Sequence, residues 1–252
     1  MMNRKIYIAT ICDDFKAAAA EYGCGIELDQ FCMAANMYGE ERRRTDMEIR
    51  SIADGISPAG VILHAPFNEL FPAAIDPGAR ELAMRRYSDA ADIAAELNAV
   101  KMVVHSGYVP DVYFKDWHKE RSVEFWNLFM EDRGIDIVIE NVLEDEPYMM
   151  AEMMEKMGND RIRLCLDTGH ALCMSSVPVK EWVNVLSPYI GHLHIHNNDG
   201  VWDHHCALDD GILDMEEVLD EAFSVCSEDM TVTVEARDCR SSLKWLCEKG
   251  YI

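Results

Sequence analysis

The chain has 252 residues, 49% hydrophobic, 27% charged and 9% aromatic, the make-up of a soluble globular protein without low-complexity tracts. This length admits one or two domains, and a single α/β barrel fills it. Lys and Arg number 23 against 46 Asp and Glu, a formal net charge of −23, so the overall field repels polyanions and nucleic acid is the weaker reading for a partner.

The dense basic run Arg42, Arg43, Arg44 reads as the solvated face of a helix. Nine cysteines, an odd number with no C-x-x-C pair, and an N-terminus without a long apolar stretch or small-residue cleavage site fit reduced thiols in a cytoplasm. No apolar run reaches the roughly 18 residues of a membrane helix.

Short apolar runs alternate with amphipathic stretches from end to end. The runs 5–11 and 24–28 read as the first two buried strands. A helix-period segment over 41–54 follows, then a strand at 60–65, a helix over 78–98, and a strand at 101–106. The same alternation gives a helix over 117–132, a strand at 136–141, a helix over 147–157 and a strand at 161–167. It ends with a helix over 178–187, a strand at 190–196, a helix over 214–226, a strand at 230–236 and a helix over 240–248. Strands alternating with helices imply a parallel sheet with right-handed crossovers. Eight such units in one domain, 1–252, predict a single (β/α)8 TIM barrel, with an open doubly wound sheet as the alternative. The dinucleotide fingerprint of the latter is poorly met: Gly23-Cys24-Gly25 is followed by Leu28 where a third Gly or Ala belongs, and the pair reads better as a helix C-cap and tight turn.

In a barrel, reactive residues sit at the carboxyl ends of the strands. His64 ends the third strand (VILHAPF), His105 the fourth (VVHSG) and Glu140 the fifth (IVIEN). Asp167 ends the sixth (LCLDTGH) with His170 just beyond, His196 the seventh (HLHIHNND) and Glu235 the eighth (VTVEA). Asp203 and His205 lie in the loop after the seventh. A lone histidine at a strand end is more often a hydrogen-bonded structural residue than a ligand. Six strands each ending in a histidine or carboxylate are a different matter, because apolar strands that carry charge into a buried position need a partner or a metal. Imidazole with carboxylate and no thiolate suits zinc, manganese, iron or cobalt. By strand alternation Cys165 lies one layer beneath Asp167 and fills the barrel. His192 and His194 share the face of His196, His194 as a contact to a metal ligand or to substrate and His192 as a deeper core residue. His118, in a helix, reads as a surface residue.

The ordered set LHAPF, VVHSG, IEN, LDTGHA, HIHNND-x3-D-x-H and VEA resembles the xylose-isomerase-like barrel superfamily, which holds sugar isomerases and epimerases and the endonuclease IV type of AP endonuclease. The resemblance covers nearly the whole chain. It implies one divalent metal held by Glu140, Asp167, His196 and Glu235, with Glu140 and Glu235 shuttling a proton on the two faces of a sugar through a metal-stabilised enediolate. The endonuclease IV pattern adds His64 and His105, sharing Glu140, and a third site of His170, Asp203 and His205, so the count of zinc or manganese ions runs from one to three. Two departures stand out. Trp202 occupies the position where sugar epimerases often carry a substrate-holding arginine, and Asp209 replaces the first glycine of the family's Leu-Gly-x-Gly-x-x-Asp stretch.

The leading expectation is thus a metal-dependent isomerase or epimerase of a sugar or sugar phosphate. The alternative is a multinuclear zinc phosphodiester hydrolase, and the last is a barrel whose metal is structural. Phe67, Tyr108, Trp117 and Trp202 are candidate pocket walls; His194, Trp202, Arg237 and Glu27 are candidate substrate contacts. The methionines, Met149, Met150, Met153 and Met154 among them, read as helix packing. No outer helix face is apolar enough to mark a subunit interface.

Overall fold

The computed structural model describes residues 4–12, 14–53 and 60–252. The end of the helix expected over 41–54 and the first three residues of the chain lie outside the described residues. Strands β1 (Ile6–Ala9), β2 (Gly25–Leu28), β3 (Val61–His64), β4 (Met102–His105), β5 (Ile137–Glu140), β6 (Ile162–Asp167), β7 (Ile190–Ile195) and β8 (Thr231–Val234) form a closed barrel in sequence order. Every pairing is parallel, and β1 bonds to both β2 and β8. This is the single (β/α)8 TIM barrel expected, and closure excludes the open sheet.

Around it run α1 (Phe15–Tyr22), α2 (Gly39–Ala53), α3 (Pro77–Glu96), α4 (Lys115–Met130), α5 (Tyr148–Glu155), α6 (Thr168–Met174), α7 (Val179–Leu186), α8 (Met215–Val225) and α9 (Cys239–Lys249). Sequence periodicity does not reveal α1, α6 or the 3-10 turn Ala34–Met37. Local chemistry sets the helix starts. Asp76 caps α3 by accepting from the amides of Gly78 and Ala79, with Pro77 in the first turn. Asp214 and Asp238 cap α8 and α9 in the same way.

Strand alternation sorts the core into two shells. Ile6, Ile8, Leu63, Val104, Ile139 and Leu166 face the helices, while Tyr7, Ile62, Val103, Val138 and Cys165 fill the inside of the barrel. Gly25 lies so close to the Tyr7 ring that a Cβ would collide with it, and Gly23 ends α1 with a left-handed φ of 69°. Along α2 Arg42 pairs with Asp46, and Arg44 with Glu40 and Glu41, while Arg42 also reaches Glu96 at the end of α3. The four methionines of α5 are all buried. Among the described residues no helix is long and apolar enough to cross a membrane.

Two expectations need correction. His118 is buried, 1% exposed: it lies on the inward face of α4, its ring edge-on to Tyr108 and 3.3 Å from the Ser122 hydroxyl. A single histidine among charged neighbours gives no sign of which face it occupies. The cysteines are not all reduced, since Cys12 and Cys239 form a disulfide. Pairing of β1 with β8 brings the loop after β1 against the start of α9, which makes neighbours of residues 227 apart in sequence. The other seven cysteines are free.

Candidate metal centre

The carboxyl ends of the strands open into a cavity of about 440 Å³, whose lining includes Asp29, His64, His105, Glu140, His170, Asp203, His205 and Glu235. Volumes of this order suit a small organic ligand. All nine positions singled out as metal ligands meet at this end of the barrel, on its walls or its floor.

Three groups can be traced. In the first, the Nε2 atoms of His64 and His105 each lie 3.3 Å from Glu140 Oε2. In the second, His194 Nδ1 stands 3.2 Å from Glu235 Oε1, 3.5 Å from Glu140 Oε1 and 3.9 Å from Asp167 Oδ2. In the third, Asp203 Oδ2 lies 3.2 Å from His170 Nε2 and 3.1 Å from His205 Nε2. His196 bridges the last two groups: its Nε2 is 3.1 Å from Asp167 Oδ1 and 3.7 Å from Asp203 Oδ1, and its ring stacks on His205 at 4.1 Å. Gly169 makes that placement possible, because any Cβ there would overlap the His196 ring.

The backbone orients several of these groups. His64 Nδ1 lies 3.0 Å from the Ala65 carbonyl, His170 Nδ1 3.0 Å from the Asn141 carbonyl and His205 Nδ1 2.9 Å from the Glu235 carbonyl. Each such bond turns Nε2 toward the carboxylates, the arrangement usual around metal-binding histidines. His205 adopts a left-handed φ of 50°, a strained backbone held by its surroundings. Asp167 caps α6 by accepting from the His170 amide at 2.6 Å, and Asn141 grips the Asp167 backbone through both its N–H and its C=O.

Electrostatics follow from packing so many carboxylates and imidazoles out of water. Burial pushes Glu235 up to about 8 against the lowering by His194, and the negative Glu140, Asp167 and Glu27 add to the rise. Burial would raise Glu140 too, but His105 and His194 hold it well below the usual carboxylate range. Burial alone would depress His205, yet Asp203 and Glu235 bring it to about 9. His105, desolvated and near other histidines, falls to about 3 despite Glu140.

This donor set fits a divalent cation. Glu140 Oε2, Asp203 Oδ1 and His194 Nδ1 are buried without a hydrogen-bond partner, a costly state unless a ligand completes them. Ligands about 2.1 Å from a tetrahedral zinc stand about 3.4 Å from each other, close to the spacings of His194 Nδ1 from Glu235 and Glu140.

Of the predicted substrate contacts, His194 is fully buried in the floor of the cavity and Glu27 is buried behind it, against His192 and Thr233. Trp202 is 67% exposed and Arg237 is exposed, and neither lines the cavity. Among the aromatic wall candidates Phe67 lines it, stacked on His105 at 4.1 Å, whereas Tyr108 packs against His118 and Trp117 donates to the Ala73 carbonyl. Asp29 and Cys32, which sequence reasoning missed, line the cavity just beyond β2. The end of β2 was the one signal available for them: Asp29 lies two residues past Glu27, on the same face. Burial and the neighbouring Glu27 raise Asp29 to about 6.

The chain is 28% identical over 196 residues to the uncharacterized protein MJ1311 of Methanocaldococcus jannaschii, an alignment covering 73% of this chain and 67% of that one. A solved D-tagatose 3-epimerase-like protein superposes with a TM-score of 0.77 at 23% identity, over 97% of this chain and 96% of the other. The TTHB071 protein of Thermus thermophilus, from a crystal soaked in ZnCl2, gives a TM-score of 0.74 at 24% identity, over 99% and 98%. At these identities the structural likeness is one of fold. The sequence profile of the xylose isomerase-like TIM barrel family matches residues 4–248, and the chain belongs to that family.

Proposed function

We propose that the protein is a divalent-metal-dependent isomerase or epimerase of a sugar or sugar phosphate. The observation that carries this reading is the convergence of Glu140, Asp167 and Glu235 on one buried imidazole nitrogen, His194 Nδ1, beneath a cavity of small-molecule size. On this reading the imidazole of the four-ligand set is His194, and His196 belongs with Asp203 and His205. The fold shared with a D-tagatose 3-epimerase-like protein supports the reaction class, and the fold shared with a protein from a zinc-soaked crystal supports the cofactor.

A divalent cation, held by Glu140, Asp167, His194 and Glu235, would supply positive charge beside a substrate carbonyl and so would make the neighbouring C–H more acidic. Glu140, kept ionised by its histidine neighbours, takes the proton. Glu235, on a strand separated from β5 by β6 and β7, returns one to the substrate carbon. Phe67, Ile11 and Val142 form the apolar part of the cavity lining. Across a panel of ketoses, aldoses and their phosphates, Glu235→Gln is expected to lower interconversion of the substrate and its isomer by about 10²-fold or more, while Glu140 still exchanges the substrate proton with D2O. Wild-type rates of interconversion would overturn the role of Glu235.

A second reading, a multinuclear zinc phosphodiester hydrolase, is favoured by one specific observation: the His64–His105–Glu140 and His170–Asp203–His205 groups are complete. Near three equivalents of zinc in protein purified without chelator, with turnover of bis-p-nitrophenyl phosphate, would replace the first reading with this one.

A further inference from the structure

His194 differs from three neighbouring histidines in how it is held. His64, His170 and His205 each rest Nδ1 on a backbone carbonyl. His194 instead turns Nε2 to a side chain, Glu27 Oε1, at 3.0 Å and off the ring N–H line. Glu27 is wholly buried and reaches neither the cavity nor solvent, so its charge needs another reason to be there.

That carboxylate ends a line of polar side chains running through the barrel. At the amino end of the strands Lys101 Nζ donates to the Gly191 carbonyl and to Thr231 Oγ1, each at 2.9 Å. Thr231 Oγ1 is 2.6 Å from His192 Nδ1, and His192 Nε2 is 2.9 Å from Thr233 Oγ1 and 3.3 Å from Glu27 Oε2. The Thr233 hydroxyl donates to Glu27 Oε2 at 2.5 Å. Strand alternation stacks Thr231 and Thr233 below Glu235, and His192 below His194, on the inward faces of β8 and β7.

The two ends fix the direction of every proton between them. An ammonium only donates and a carboxylate only accepts. Thr233 passes its own proton to Glu27, so the ring nitrogen that faces both of them, His192 Nε2, carries a hydrogen. The other nitrogen of neutral His192, Nδ1, then accepts from Thr231, whose oxygen accepts from Lys101. The remaining oxygen of Glu27 faces the Nε2–H of His194. The Nδ1 lone pair of His194 is then left toward Glu140, Asp167 and Glu235. The reverse assignment would set an imidazole lone pair against the Glu27 carboxylate.

We propose that Lys101, Thr231, His192, Thr233 and Glu27 are a positioning chain that holds His194 with Nδ1 presented as a metal ligand. The presentation of a ligand rests on the metal-dependent reading above; the direction of the chain does not. A buried carboxylate behind a metal-binding histidine tightens the ion by about 10- to 100-fold.

Long-range 1H–15N spectra of the metal-free protein at pH 7 test the direction. His192 is expected to be neutral with its hydrogen on Nε2, to shift toward the other tautomer in Lys101→Met, and to return to Nε2–H in Lys101→Arg. A wild-type His192 with its hydrogen on Nδ1, or a Lys101→Met spectrum identical to wild type, would overturn the chain. Chelator-competed zinc titration tests the consequence: Glu27→Gln is expected to weaken zinc binding about 10- to 100-fold, and Thr233→Val, which keeps volume, to weaken it less. Unchanged affinity in both would remove Glu27 and Thr233 from any positioning role while leaving the metal reading intact. If wild-type protein takes up no zinc, manganese or cobalt, the metal reading and the ligand role of His194 fall together, and the His192 spectrum still decides whether the chain has its stated direction.

Discussion

His192, His194 and His196 lie on one face of one strand, and alternation alone puts them there. Which of them meets the carboxylates depends on the layer each occupies in a closed, tilted barrel, and sequence spacing does not carry that information. His194 faces Glu140, Asp167 and Glu235 together, whereas His196 faces Asp167 and Asp203. The two histidines should therefore separate by experiment. In His194→Ala, zinc affinity at the Glu140–Asp167–Glu235 group is expected to fall at least about 100-fold, more than loss of an outer partner would produce. In His196→Ala that ion is expected to stay, with binding lost at the Asp203–His205 group. Gly169→Ala, which pushes the His196 ring from its place, should copy His196→Ala and not His194→Ala. Titration with chelator competition, read with inductively coupled plasma mass spectrometry, distinguishes these patterns; equal loss in all three variants would sink the division. The strand-end carboxylates were legible because charge closing an apolar run is conspicuous. Asp29 directly follows the end of β2 and was passed over for Glu27, whereas Cys32 lies four residues beyond the strand, where sequence offers only a loop.

At the scale of elements, hydrophobic period recovered all eight strands and the seven helices with a sustained apolar stripe. It did not recover α1, whose FKAAAAEY has too little apolar contrast. Nor did it recover α6, seven residues long and started by the site residue Asp167 itself. The error at α4 was one of facing: His118 packs inward with Tyr108, Tyr113 and Ser122. Burial lowers its pKa from the usual 6.5 to about 4. The folded state thus holds this group neutral where the unfolded chain would protonate it. Its contribution is fully present above about pH 6.5 and is lost as pH falls toward 4, by roughly 3 kcal/mol at about 1.4 kcal/mol per unit. Urea unfolding from pH 7 to 4 is expected to show a steeper loss of stability in wild type than in His118→Phe, which has no proton to gain. Parallel curves would show that His118 is not protonated on unfolding.

Across the whole molecule, the barrel has no sheet edge, and its first and last strands must find each other across almost the full chain. The pairing of β1 with β8 makes that junction, and the Cys12–Cys239 disulfide fastens its outside, from the loop after β1 to the start of α9. Composition spoke for reduced thiols because an odd cysteine count carries no positional information; only closure of the barrel brings this pair together. The bond spans 227 residues of sequence, so on chain entropy it removes more freedom from the unfolded state than a short loop would, up to about 5 kcal/mol, against a usual gain of about 2–4. For a chain of 252 residues, each kcal/mol is worth about 2–4 °C. Differential scanning calorimetry of oxidised wild type against Cys12→Ser/Cys239→Ser is therefore expected to show a melt lower by roughly 4–16 °C. Thiol reductant should lower the wild-type melt toward that of the double variant and leave the variant unmoved. Because Cys12 follows Ile11 on the cavity wall, the reduced protein should also release zinc faster at temperatures below its melt. A wild-type melt indifferent to reductant would mean that strand pairing, not the disulfide, sets the stability of the closure.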